Sequence, residues 1–288
     1  MYGIILLSVA LIGLIIGSYT DIRTREVPDW VSFSLICSGI GLRIIFSIIY
    51  SDWHIIVNGL IGFGIFFAFA WLMFYTGQWG GGDSKVLMGL GALLGLEWSV
   101  NSMLAAFLIN TLILGGIYGI LFSIYLAFKN RKSFAKEFRK ISVKKEFLTF
   151  RYISYGICIS ALILGILISD LQMRMLLFVL AALAFASVWV HAFLKSVETA
   201  CMFKFIDPLK LTEGDWIAKD IYDGKKRICG PGDLGIEKKQ IRQLILMHSR
   251  GKLHKVKIKE GIPFVPSFLL GLITAILFGN LLFLLLRL

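Results

Sequence analysis

Asp21 closes one long apolar run of this chain and Asp83 opens another. They are remote in sequence but stand at the same kind of boundary, where they meet if the two runs pack together. Two carboxylates brought to about hydrogen-bond range cannot both ionise easily, so the pair holds a single proton. That is the chemistry of aspartyl proteolysis: one carboxylate takes a proton from water while the other, protonated, polarises a scissile carbonyl. Gly80-Gly81-Gly82 precedes Asp83. A backbone without side chains there admits a second chain closely, and an extended substrate strand can dock on it by main-chain hydrogen bonds. Plainer readings stand beside these. Asp83 is also a suitable helix N-cap, and Asp21 reads as a solvated boundary charge beside Arg23 and Arg25. Asp29, after Pro28, reads as the N-cap of the next helix.

Other chemistries find no constellation. His54, His191 and His254 are isolated and no H-E-x-x-H occurs, which argues against a metalloprotease. Cys37, Cys158, Cys201 and Cys229 form no C-x-x-C pair, so neither a zinc finger nor a disulfide framework is expected. No Ser/Lys or Ser/His arrangement suggests serine catalysis. Neither metal nor organic cofactor is expected.

The elements that must position the two acids are membrane helices. Apolar residues make up 57% of the 288 residues and charged residues 17%, against about 25% charged in soluble chains. Eight apolar runs are candidate spans: 2–20, 30–50, 54–76, 84–98, 101–128, 152–169, 172–194 and 263–286. The first lacks a basic leading region and a small-residue cleavage pattern, and is read as a retained helix rather than a secretory signal. The fourth is shorter than the ~30 Å hydrocarbon layer requires. The Gly77–Asp83 segment before it therefore sits below the membrane surface, where irregular backbone must be buried in protein or line a wet cavity. Gly91 and Gly95 make a G-x-x-x-G step that permits tight helix contact.

The cations set the expected orientation. With the N-terminus outside, the loops 21–29, 77–83, 129–151 and 195–262, together with Lys85, hold all but Arg43, Arg174 and Arg287 of the 30 Lys and Arg residues. By the positive-inside rule these loops face the cytoplasm, and with them Asp21 and Asp83. Asp52 and Asp170 fall on the opposite side.

The expected architecture is an all-α polytopic membrane protein of about eight transmembrane helices, with a small α+β cytoplasmic domain inserted before the last. Residues 1–195 form the membrane core, 196–262 the small domain and 263–288 the final helix. Turn signals at Thr212–Trp216, Asp223-Gly224 and Gly230–Asp233 mark that domain. Glu237–Arg250 reads as its helix, and the alternation over Lys255–Lys259 as a strand. Its cations suit anionic headgroups; no stacking pattern suggests nucleic acid.

Two motifs now carry a resemblance. Tyr19-Thr20-Asp21-Ile22-Arg23-Thr24-Arg25-Glu26-Val27-Pro28-Asp29-Trp30 resembles the first catalytic segment of type IV prepilin peptidases, an Asp followed by Pro and then Asn or Asp. Gly80-Gly81-Gly82-Asp83-Ser84-Lys85 resembles their second, the GxGD motif with its following Lys. Glu260–Phe268 and the small domain look like the archaeal branch, which includes preflagellin peptidases. The resemblance implies Asp21 and Asp83 as the catalytic pair, Gly80 and Gly82 as motif glycines and Lys85 as a substrate-binding or motif residue. It implies a prepilin or preflagellin substrate, its basic leader cytoplasmic and its apolar helix in the bilayer, cut between the two. Many bacterial members carry paired C-x-x-C motifs between the first two spans and some methylate the new N-terminus. Only residues 21–29 fill that loop here, so peptidase activity without methyl transfer is expected.

Two alternatives remain at this stage. One is a presenilin-like GxGD protease, with Pro263–Phe268 in the part of its C-terminal proline motif. The other is a transporter binding a cation or proton at Asp21 and Asp83 between broken helices. A transporter usually shows paired interruptions, and the sequence displays no second one among spans five to eight.

Overall fold

The structure, a computed structural model, describes residues 2–97, 99 and 102–286, with Leu285 by its backbone alone. The expected span ends Trp98 and Asn101 and the cation Arg287 lie outside the described residues. The chain divides into two compact units, residues 1–121 with 204–288, and residues 122–203.

The first unit contains α1 (Tyr2–Thr24), α2 (Asp29–Ile49), α3 (His54–Tyr75) and α4 (Gly81–Leu94), and most of α5 (Met103–Lys129). The second contains the last turns of α5, then α6 (Arg131–Ser142), α7 (Lys145–Leu167) and α8 (Leu171–Cys201). Then come β1 (Phe203–Ile206), a 3-10 turn at Pro208–Lys210, β2 (Trp216–Ile217), β3 (Ile221–Asp223), β4 (Lys226–Cys229), α9 (Lys238–Ser249) and β5 (Val256–Lys259). The chain closes with α10 (Val265–Phe278) and α11 (Leu281–Leu286).

Six of the eight expected spans, α1, α2, α3, α5, α7 and α8, are long and apolar enough to cross a membrane by length and composition. The other two differ from expectation. α4 begins inside the glycine run and ends after 14 residues at Gly95, whose φ is +67°. The expected last span is interrupted: α10 stops at Gly279 (φ +68°) and α11 begins at Leu281. Asn110 of α5 repairs this break, donating to the Gly279 carbonyl (2.8 Å) and accepting from the Leu281 N–H (2.9 Å). The 129–151 segment, read as a loop, is helical through α6 and the first turns of α7, because no Gly or Pro interrupts its run of helix formers. α8 likewise continues past position 195 to Cys201.

α4 can be short because protein surrounds it. It packs against α2, α3 and α1, and Ser84, Val86, Leu87 and Gly89–Leu94 are all buried. Glycines set the spacing: a Cβ on Gly91 would stand 2.5 Å from the Gly62 carbonyl oxygen, and one on Gly39 2.8 Å from Ala92. The last carbonyls of such a helix have no water to bind. Arg43, 5% exposed, supplies donors instead. Its Nε reaches Ala92 O (2.7 Å), one Nη reaches Leu93 O (2.9 Å) and the other reaches Ile55 O (2.8 Å). Arg43 was expected among the cations of the opposite side; it is a buried cap. Gly59 and Gly95 leave the space its side chain fills.

The small module is an α+β unit. Its three-stranded sheet has the order β1-β5-β2, with β2 and β5 antiparallel through Trp216↔Lys259 and Ile217↔Ile258, and β3 and β4 form a hairpin. α9 lies inside the expected Glu237–Arg250, with Glu237 preceding it and Arg250 following. β5 falls on the expected alternating stretch. Ile217, Ile228, Ile236, Leu244, Val256 and Ile258 are among its core residues.

Asp215 enters this module at a cost. Burial pushes its carboxyl above the ordinary 3.8, the Thr212 N–H (2.8 Å) pulls the other way, and Glu260 adds repulsion. A carboxyl with a raised folded-state pKa stabilises the fold when protonated, and that contribution declines as pH rises above 3.8. Relative to wild type, Asp215→Asn is therefore expected to lack this decline in an unfolding series against pH; parallel curves would clear Asp215 of the effect. Arg43→Met leaves the Ala92 and Leu93 carbonyls without their donor and is expected to destabilise the protein by about 3 kcal/mol or more, with Arg43→Lys intermediate, as read from thermal unfolding in detergent.

Candidate active site

α1 packs against α4 and α10, and this brings the two acidic boundaries to one end of the helices. Asp21 lies in the last turn but one of α1 and is 5% exposed. This overturns its reading as a solvated charge. Its Oδ2 accepts the Val265 N–H at 2.9 Å, with the Phe264 N–H alongside. Val265 is the first residue of α10, so the carboxylate sits at the positive end of a helix whose first N–H groups have no internal partner.

Asp83 is the third residue of α4, not its N-cap, which is Gly80. Its Oδ2 reaches back to accept the Gly80 N–H at 3.2 Å, the backward half of a capping box. The carboxylates of Asp83 and Asp21 are within electrostatic reach of each other. Val27 stands between the two segments: a Cβ on Gly82 would touch it at 3.4 Å and one on Gly17 at 3.8 Å. A Cβ on Gly80 would meet only the Asp83 carboxylate, at 3.6 Å, and one on Gly81 only Phe74, at 3.8 Å. At all three glycines an added Cβ would stand in ordinary van der Waals contact with these neighbours.

Lys85 does not point at the carboxylates' hydrogen bonds. Its Nζ pairs with Asp29 at 2.6 Å and lies 5.4 Å from the centre of the Phe33 ring. Asp29 is accordingly the first residue of α2 and an ion-pair partner rather than an N-cap. The pair ties the two motif segments together at their outer edge.

Several neighbours carry no signal in sequence. Arg25 closes α1 in the left-handed region, φ +62°, its N–H bonded to the Asp21 carbonyl at 2.9 Å, and its charge acts on Asp21. Tyr118 of α5 lies within electrostatic reach of Asp21 and Arg25. Trp79, buried just before the glycines, packs on Phe69, Phe264 and Phe268 at centroid distances of 5.6, 5.2 and 5.3 Å. That aromatic cluster seats the start of α10, and through it the Val265 N–H. The one available sequence signal was the proline-containing run Pro263–Phe268.

The small module meets the same end. The Thr212 hydroxyl donates to Glu26 in the α1–α2 loop, and the Trp216 ring lies 3.8 Å from where a Cβ on Gly77 would stand. Five residues join β5 to α10, so the module's central strand leads directly to the helix start that holds Asp21. Among the described residues no group of His, Cys, Asp and Glu is arranged to hold a metal ion. One oxygen of each carboxylate is engaged by a backbone N–H.

Residues 8–120 match the type IV leader peptidase family. A preflagellin peptidase of Methanococcus maripaludis is 37% identical over 123 residues, 41% of this chain and 53% of the relative. A preflagellin peptidase of Methanocaldococcus jannaschii is 38% identical over 86 residues, 30% of this chain and 36% of the relative. The chain thus spans about half the length of the first and about a third of the second. Prepilin peptidase EppA of Methanothermobacter thermautotrophicus is 23% identical over 369 aligned positions, covering 97% of this chain and 96% of that one. No solved structure matches. The segment that matches the type IV leader peptidase family contains Asp21, Asp83 and both motif regions around them.

Proposed function

We propose that this chain is a membrane-embedded aspartyl endopeptidase that removes the short basic leader from type IV prepilin-like or preflagellin precursors. The observation that carries this reading is the approach of Asp21 and Asp83 at one end of the helices, in the segment that matches the family. One carboxylate takes a proton from water, and the resulting nucleophile attacks the scissile carbonyl carbon. The other, protonated, donates to the carbonyl oxygen. The tetrahedral intermediate then collapses, the C–N bond breaks and the leaving nitrogen takes a proton from the pair. Backbone donors engage Oδ2 of each residue, and in this scheme Oδ1 is the oxygen that meets water and substrate.

Placement at the membrane boundary supports a leader-cutting role. Asp21 lies in the last turns of a helix long enough to span and Asp83 in the first turn of a buried one, so both act where a substrate's apolar helix gives way to its polar leader. The Lys and Arg distribution supports a cytoplasmic face for that boundary. The absence of side chains at Gly80 and Gly81 supports docking of an unwound segment by its main chain. No cofactor takes part in this scheme, and the short α1–α2 loop supports peptidase action without methyl transfer. A transporter draws less support: Asn110 takes up the carbonyl and N–H that flank the second helix break, where an ion would need open ligands.

Purified protein in detergent is expected to cut a prepilin-like substrate bearing a basic leader, with Asp21→Asn and Asp83→Asn each lowering the rate by at least about a thousandfold. Cleavage retained in both variants would remove the pair from the mechanism. Cleavage of unrelated membrane helices at equal rate would favour a presenilin-like protease instead. For Lys85→Gln, the exposed ion pair with Asp29 leaves stability within about 1 kcal/mol of wild type, while KM for the leader-bearing substrate is expected to rise. An unchanged KM would take Lys85 out of substrate binding.

A further inference from the structure

The second unit carries a surface that the peptidase reading does not use. α6 joins α5 to α7, both long and apolar enough to span. Its own 12 residues rise only about 18 Å, too little to cross, so connectivity keeps it at a membrane surface. Its sides differ sharply. Phe134, Phe138 and Ile141 turn inward, Phe134 meeting Phe193 of α8 edge-to-face at 5.5 Å, with Ile141 buried against the same core. Arg131, Lys132, Lys136 and Arg139 are exposed on the other side, and Lys144 and Lys145 continue the exposed cations past its end. Lys140 pairs with Glu137. Among the described residues no ion pair joins those six cations to an acidic side chain.

Two apolar side chains bracket this charged face. Phe128, just before α6, is 77% exposed, and Val143, just after it, is 71% exposed. A soluble polyanion would leave both in water. A membrane surface accommodates both features at once: apolar anchors enter the acyl boundary while Lys and Arg stay among headgroups. We infer that α6 is a binding surface for anionic phospholipid, its outward Lys and Arg side chains contacting the charged headgroups and Phe128 and Val143 entering the layer beneath. The inference is independent of proteolysis, and its test needs no substrate.

The full chain in detergent would be titrated with phosphatidylglycerol or phosphatidylcholine and the bound lipid counted by native mass spectrometry. Wild type is expected to bind phosphatidylglycerol about tenfold more tightly than phosphatidylcholine, consistent with several cations acting near an anionic surface. The triple variant Lys132→Gln, Lys136→Gln, Arg139→Gln is expected to lose that preference. The charge-preserving variant Lys132→Arg, Lys136→Arg, Arg139→Lys is expected to keep it, as is a control in the module, Lys225→Gln, Lys226→Gln, Lys239→Gln. Preference undiminished in the first variant, or lost equally in the control, would overturn the proposal. Displacement of the lipid by excess inorganic phosphate would also overturn it, by pointing to a free-phosphate site.

Discussion

A carboxylate withdrawn from water at the end of a membrane helix must find donors in the protein, and for Asp21 the donor is the first N–H of α10. The hydrogen bond joins residues almost at opposite ends of the chain, and the arrangement of the site follows from it. The start of α10 is seated by Trp79, Phe264 and Phe268, and Trp79 immediately precedes the glycines that lead to Asp83. The same aromatic cluster therefore locates both acids, one through a backbone donor and one through chain connectivity. Burying an unpaired carboxylate would be strongly unfavourable. The helix start offsets that cost with its unsatisfied N–H and dipole.

α4 shows the same constraint at its other end. A helix of 14 residues cannot deliver its last carbonyls to water within a bilayer, so it needs walls and a cap. Glycine contacts supply close walls from α2 and α3, and Arg43 supplies the cap. Asp83 then opens a helix held at both ends, by the Gly80 N–H and the Lys85–Asp29 pair at the start and by the guanidinium at the finish. The small module touches the α1–α2 and α3–α4 loops at the same end.

That module is joined to the site by chain as well as by contact. Its central strand continues in five residues to the start of α10, whose first N–H holds Asp21. The second unit follows a different logic. Its helices bury modest apolar faces against one another and leave large apolar surfaces outward, as expected where lipid is the solvent.

Much of this was legible in the amino-acid order because it depends on local pattern. Long apolar runs require hydrocarbon whatever their neighbours, so six spans were readable. Alternation and turn residues located β5 and α9, since strand and helix periods are properties of a few consecutive residues. Asp21 and Asp83 could be singled out because each stands with Pro or Gly at a span boundary. Long-range geometry alone decided the rest. The Val265 N–H has no side-chain signature, and nothing local links it to Asp21. Arg43 resembles any lone cation near a span end until α4 stops beneath it, and Asp29 resembles an N-cap until Lys85 arrives from another helix. A sequence states which groups need partners; only packing determines which partners come within hydrogen-bond distance once water is excluded.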